Sequence, residues 1–190
     1  MIERIKQRVS ESIEVKRAFD EDLYRRIESA ARTVIEAYRH QRKAVFMGNG
    51  GSAADAQHLA AELVGRFARD RKALPALALN ANTSSLTALS NDYDYGRSFS
   101  KQVEAFVVPG DVVIGISTSG NSENVVQALK EAKARGAVTV ALTGRTGGRV
   151  GPHADILINV PSDTVARIQE AHILVGHIIC ELIESALFPG

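Results

Sequence analysis

KAVFMGNGGSAADAQHLAAELVGRF, residues 43–67, passes from an apolar run through a glycine cluster into a helix-forming stretch. A short apolar run closed by glycines reads as a buried strand, and the alanine- and leucine-rich segment after it as a helix. Four more apolar runs repeat the theme: PALALN at 75–80, DVVIGIS at 111–117, AVTVALTG at 137–144 and ADILINV at 154–160. Each is bounded by Gly, Pro, Asp or Asn, and helical stretches at 53–68, 83–107 and 122–135 lie between them. Near-continuous apolar strands alternating with helices predict a parallel sheet covered on both faces. The expected fold is a doubly wound, three-layer α/β/α domain with five parallel strands.

Two helices precede the sheet. Ile2, Ile5, Val9 and Ile13 recur at helical spacing, as do Leu23, Ile27, Val34, Ile35 and Tyr38, and Asp20 is placed to cap the second helix. A long helix at 164–187 closes the chain, and its stretch AHILVGHIICELI, 171–183, is apolar almost all the way round. Such a helix is expected to be buried, an oligomer core being one place that would bury it. Gln169, His172 and His177 then become polar groups in an apolar setting, each costing about 1–3 kcal/mol unless partnered. No repeat or linker divides the chain, so residues 1–190 are read as one domain, with helices in 1–41 and the α/β core and last helix in 43–190.

Composition narrows the function. A net charge of +1 and 5% aromatic residues give no electrostatic or stacking case for nucleic acid. No apolar stretch has the length of a membrane span, and the charged N-terminus lacks the apolar core of a secretory signal. The lone Cys180 excludes an intramolecular disulfide and fits a reducing compartment, so the expected location is the cytoplasm.

Two loops carry the candidate chemistry. Gly48, Gly50 and Gly51 follow the first strand, with Ser52 in the position of a helix N-cap, which brings backbone N–H groups and a positive helix end to the sheet edge. The spacing is neither G-x-G-x-x-G nor a Walker loop, so a dinucleotide or nucleoside triphosphate is not indicated. Alone, the stretch reads equally as a capped turn. STSGNS at 117–122 repeats the arrangement with four hydroxyls and no cation, and the pair of loops favours a phosphate monoester. GRTGG at 144–148 reads as a turn. His58 and Glu62, four residues apart, share a helix face, while Gln169 and His177 lie eight apart, about 80° around their helix. Imidazole, carboxylate, amide oxygen and imidazole together make a zinc-like donor set, although a His/Glu pair by itself is more often a surface contact. His172 falls off that face and reads as a core or interface histidine.

GNGGSAADAQH with Glu62, the Asn91–Asp92 pair, ISTSGNS, LTG and RIQEAHI with His177 together resemble the phosphoheptose isomerases of the sugar isomerase (SIS) domain family, over nearly the whole chain. The resemblance implies a flavodoxin-like strand order and conversion of sedoheptulose 7-phosphate into D-glycero-D-manno-heptose 7-phosphate, the first step toward the ADP-heptose of lipopolysaccharide. It implies homotetramers with sites built where subunits meet, typically carrying one zinc per subunit. Ser52, Ser117, Thr118, Ser119 and Ser122 match its phosphate-binding positions, Asn49, Gly50, Gly51, Asn91 and Asp92 further substrate contacts, and Arg66 a position near the site. His58, Glu62, Gln169 and His177 match the metal set, Gln169 also touching substrate, with Glu62 and His177 the acid–base pair. Ala166 departs from relatives that carry an acidic residue before RIQE.

Ser52 and Glu62 lie ten residues apart, about 15 Å along an ideal helix. A seven-carbon sugar phosphate hardly spans that distance, which favours a site completed by a neighbouring subunit. The rival readings are a non-catalytic SIS regulator that binds the replication initiator, and another sugar-phosphate isomerase or sensor. Retention of Glu62 and His177 favours the enzyme.

Overall fold

The computed structural model describes residues 1–189. Helices α1 (Ile2–Arg17) and α2 (Glu21–Arg39) lead into strand β1 (Ala44–Gly48), helix α3 (Gly51–Val64) and strand β2 (Ala76–Ala78). Helices α4 (Thr83–Asp92) and α5 (Ser100–Phe106) follow, then β3 (Val112–Ser117), α6 (Glu123–Ala134), β4 (Val138–Thr143), β5 (Ile156–Asn159) and α7 (Val165–Leu187). The sheet runs β2-β1-β3-β4-β5 and every pairing is parallel. This is the flavodoxin-like order expected from the sequence.

Strand side chains alternate between two cores, as a sheet covered on both faces requires. Ala44, Phe46, Val112, Ile114, Ile116, Val140 and Leu142 pack beneath α2, α3 and α7. Val45, Met47, Val113 and Ala141 face the other way, against α5 and α6. Because α3 and α6 leave the neighbouring strands β1 and β3 toward opposite faces, a crevice opens between their carboxyl ends. This is where ligands of open α/β sheets bind.

Three local expectations are corrected. The helix read over 83–107 is interrupted: α4 ends at Asp92, a single 3-10 turn spans Tyr95–Arg97, and α5 starts at Ser100. Asp94 causes the break by taking the Arg97 amide at 3.0 Å, a local bond that competes with the helical one. Ser52 is not the cap of α3. Gly50 takes that position with φ +57°, a conformation glycine adopts without penalty, and Ser52 lies buried in the first turn. Finally, α7 buries Ile168, Ala171, Val175, Cys180 and Ile183 within the single chain, so the fold itself covers much of its apolar surface.

Asp20 caps α2 as expected, accepting the Leu23 amide at 2.9 Å. Helix α1 is different, for it buries no residue, and Ile2, Ile5, Val9 and Ile13 form a stripe between 43% and 67% exposed. No helix is long and apolar enough to cross a membrane.

His172 is fully buried and its Nε2–H donates to the Thr143 carbonyl at 3.1 Å. Burial pushes its pKa down to about 4, against a smaller upward pull from that bond. The ring is therefore neutral in the fold, whereas the unfolded chain takes up a proton near pH 6.5. Stability should hold above pH 6.5 and fall by about 3 kcal/mol as pH drops toward 4. Urea unfolding across that range, with a flatter pH dependence in His172→Gln, checks this.

Candidate active site

Both loops at the crevice lack a side-chain cap on the helix they start. The positive ends of α3 and α6 are thus left for an anion. Around α6, Ser117 Oγ and Ser122 Oγ lie 3.1 Å apart, and Ser119 Oγ accepts the Asn121 amide. Ser52 and Ser117 are buried, Thr118 and Ser122 half-buried, and Ser119 exposed. The hydroxyls expected from the sequence therefore share one edge of the sheet with the GNGGS turn.

Asn49 joins the two loops. Its amide and that of Asn124 exchange two hydrogen bonds, each 2.9 Å, and the Tyr95 hydroxyl donates to Asn49 Oδ1 at 2.8 Å. Asn124 is buried at the start of α6 and also takes the Val125 amide. Reciprocal donation orients both amides, so the turn after β1 and the helix after β3 form one unit. Asn91 and Asp92 lie exposed at the end of α4, bonded to each other, and Arg66 is exposed just beyond α3. Among the described residues none of these three hydrogen-bonds to the loops or to His58, Glu62 and His177; α4 reaches the core through Leu86 and is followed by the segment carrying Tyr95.

The second cluster lies between α3 and α7. Gly176 faces Leu59 so closely that an added Cβ would stand 2.5 Å from Leu59 Cδ2. That approach brings His177 to His58, Nε2 to Nε2 at 2.9 Å, with the rings edge to face. Glu62 Oε1 lies 3.3 Å from His58 Nε2. Gln169 sits elsewhere: its amide covers the GNGGS turn, where a Cβ on Gly51 would meet Nε2 at 2.4 Å. Eight helical residues, about 12 Å of rise, separate it from His177. His58, Glu62 and His177 thus come together within one chain and Gln169 does not join them.

Asp55, three residues before His58, was not singled out from the sequence, although its spacing places it on the same face. Burial raises its carboxyl pKa, with His58 and His177 pulling the other way, and its Oδ2 is buried without a partner among the described residues. Phe67, also unremarked in the sequence, packs its ring 5.7 Å from that of His177.

Among the described residues no three or more His, Cys, Asp or Glu side chains form a ready-made metal cluster. The donor chemistry of the α3–α7 pair nevertheless fits zinc. Two imidazole nitrogens and a carboxylate oxygen meet at His58, at spacings near the roughly 3.3 Å separating two ligands 2.0–2.1 Å from a tetrahedral ion.

The SIS domain profile matches residues 9–144. The phosphoheptose isomerase of Aquifex aeolicus is 53% identical over 97% of this chain and 97% of its own, and that of Sulfurimonas denitrificans 50% identical over 97% and 95%. The chain belongs to the phosphoheptose isomerases of the SIS domain family. Among solved structures, phosphoheptose isomerase GmhA from Neisseria gonorrhoeae superposes with a TM-score of 0.91 at 45% identity, covering 96% of this chain and 98% of that one. The Francisella tularensis phosphoheptose isomerase gives 0.93 at 35% identity, covering 97% and 98%. None of these phosphoheptose isomerases is named as a regulator.

If the Asn49–Asn124 pair sets the loops, Asn124→Ala should weaken binding of a sugar phosphate about 3–10-fold, the worth of one or two hydrogen bonds. Titration calorimetry reads this directly, and unchanged affinity would remove the pair from binding.

Proposed function

We propose that the chain is an aldose–ketose isomerase that converts sedoheptulose 7-phosphate into D-glycero-D-manno-heptose 7-phosphate. The observation that carries the reading is the meeting of Glu62, His58 and His177 between α3 and α7, on the same helix that begins at the hydroxyl-lined crevice. A crevice with hydroxyls and uncapped helix ends suits the phosphate. A carboxylate with two imidazoles suits the proton transfers.

The chemistry needs a base at carbon and a proton carrier at oxygen. Glu62 takes the proton from C1 of the ketose, and the C1–H electron pair forms the C1–C2 double bond of a cis-enediol(ate) as charge moves onto O2. His177 moves a proton between O1 and O2. Return of a proton from Glu62 to C2 leaves an aldehyde at C1 and a new stereocentre at C2, with no atom gained or lost. Without a metal, the two imidazole nitrogens at 2.9 Å share one hydrogen bond, one ring donating and the other accepting. His58, Glu62 and His177 would hold a zinc ion, which when bound supplies Lewis-acid polarisation of the carbonyl; Gln169, the fourth ligand expected from the sequence, does not reach it within one chain. Ser52, Ser117, Thr118, Ser119 and Ser122 bind the phosphate, and Asn49, Gly50, Gly51, Asn91, Asp92 and Arg66 complete the substrate's surroundings.

We place this reaction in the cytoplasm, at the entry to ADP-heptose synthesis. We assign a homotetramer with sites shared between subunits, on three grounds. His58 is nearly half exposed in the single chain, an open setting for proton transfer. Gln169 stands at the phosphate end rather than with its expected partners. The stripe on α1 has no cover.

Glu62→Gln should lower kcat about 10²–10⁴-fold on sedoheptulose 7-phosphate, the usual worth of a positioned base. Chelator treatment, with zinc restoring the loss, is the parallel arm; near-normal kcat in the variant removes Glu62 from the base role. Light scattering should give about four times the chain's 20.5 kDa, falling in Ile5→Glu. A fully active monomer would end the shared-site assignment.

A further inference from the structure

Helix α7 continues two turns beyond His177 to Glu184, seven residues on and about 20° from it around the axis. The Glu184 side chain is 4% exposed, yet it is fully partnered. Oε1 accepts the backbone amides of Ala68 and Arg69, both at 2.9 Å, and Oε2 accepts the Phe67 amide at 3.1 Å and Arg71 Nε at 2.9 Å. Burial opposes its ionisation, but these four donors outweigh burial and hold its carboxyl below the ordinary range. Three consecutive amides wrapped around one buried carboxylate make an anion nest built by the chain for its own side chain.

Arg71 faces the other way as well, and its side chain is 2% exposed. Nη2 donates to the Glu62 carbonyl and Nη1 to the Leu63 carbonyl, both at 2.8 Å, with a further bond to the Gly65 carbonyl at 3.2 Å. These are carbonyls of the last turn of α3 and the residue beyond it, which have no helical amide left to bind. A covalent and hydrogen-bonded circuit therefore runs from Glu62 through Arg71 to Glu184 and back up α7 to His177. The same nest fixes the start of the segment after α3, which lays Phe67 against the His177 ring and carries Arg66.

We propose that Glu184 and Arg71 are positioning residues of the isomerase site, setting the distance between the Glu62 carboxylate and the His177 imidazole. The inference rests on the function proposed above for Glu62 and His177. Neither Glu184 nor Arg71 touches the reacting atoms; both act through the backbone that carries those that do. A charged guanidinium is needed because one planar group must serve a carboxylate and several carbonyls at once, which a lysine ammonium cannot do in that geometry. A carboxylate is needed because an amide in its place would turn an N–H donor toward the nest's own donors.

The test compares wild type, Glu184→Gln and Arg71→Lys, with Ile27→Ala in α2 as a control for general loss of stability. Kinetics on sedoheptulose 7-phosphate are corrected for folded fraction, and the histidine ring resonances are followed by NMR. The expected result is a kcat lowered at least 30-fold in Glu184→Gln and 3–10-fold in Arg71→Lys, with KM changed less than threefold, because the phosphate loops lie at the far end of α3. The His58 and His177 rings should shift in both variants while buried His172 stays in place, and Ile27→Ala should change neither kcat nor the rings. If Glu184→Gln does not fold, Arg71→Lys decides by the same readings. Folded variants with kcat within twofold of wild type and unmoved His58 and His177 rings overturn the proposal. Should wild type fail to turn over the substrate, the isomerase reading falls, and the ring resonances still decide whether the pair positions the histidines.

Discussion

The contact between Gly176 and Leu59 governs the acid–base cluster. Two helices can bring imidazoles within 2.9 Å of each other only if their backbones approach closely, and any side chain at 176 would push them apart. Around that point α3 and α7 run parallel, Gln169 beside Gly51 at one end and Glu184 beside residues 67–69 at the other. Packing thus sets the cluster: a hydrogen atom in place of a methyl group is what allows a carboxylate and an imidazole on one helix to meet an imidazole on another.

The sheet contributes a different constraint. Its order sends α3 and α6 to opposite faces from adjacent strands, so two uncapped helix ends share one crevice. Two loops from separate strands are mechanically independent unless something links them, and the Asn49–Asn124 exchange is that link. Tyr95 extends it to the segment after α4, where the helix is broken at Asp94. An unbroken helix over 83–107 could not turn the Tyr95 hydroxyl to Asn49 with the same local geometry.

Much of this was legible in the residues. All five strands fall inside the apolar runs read from the sequence, because buried parallel strands carry no polar alternation to blur them. His58 and Glu62 were visible from their spacing, since four residues on a helix fix a shared face whatever else the protein does. The break at Asp94 lies in a polar stretch, NDYDYGRS at 91–98, whose aspartates and glycine favour a turn but also occur singly within helices, so its place is set only once Asp94 meets the Arg97 amide. Ser52 was misplaced by two residues: a serine after glycines resembles a cap, but Gly50 already holds the capping position. Tyr95, Asn124, Arg71 and Glu184 carry no local signal at all. Each matters through a partner tens of residues away, 46 for Tyr95 and Asn49 and 113 for Arg71 and Glu184, and spacing rules do not reach that far.

The parallel course of α3 and α7 has an electrostatic consequence. Side-by-side helices pointing the same way add their dipoles instead of cancelling them, leaving a positive pole at the GNGGS end and a negative pole past Glu62. At that pole Arg71 binds the last carbonyls of α3, while its own charge is matched by the buried carboxylate of Glu184. Among the described residues no acidic side chain stands in the first turn at the positive pole, where the turn carries amides and hydroxyls. The backbone groups of α3 are therefore answered by a side chain at one end and open at the other, where an anion arriving at the crevice can meet them.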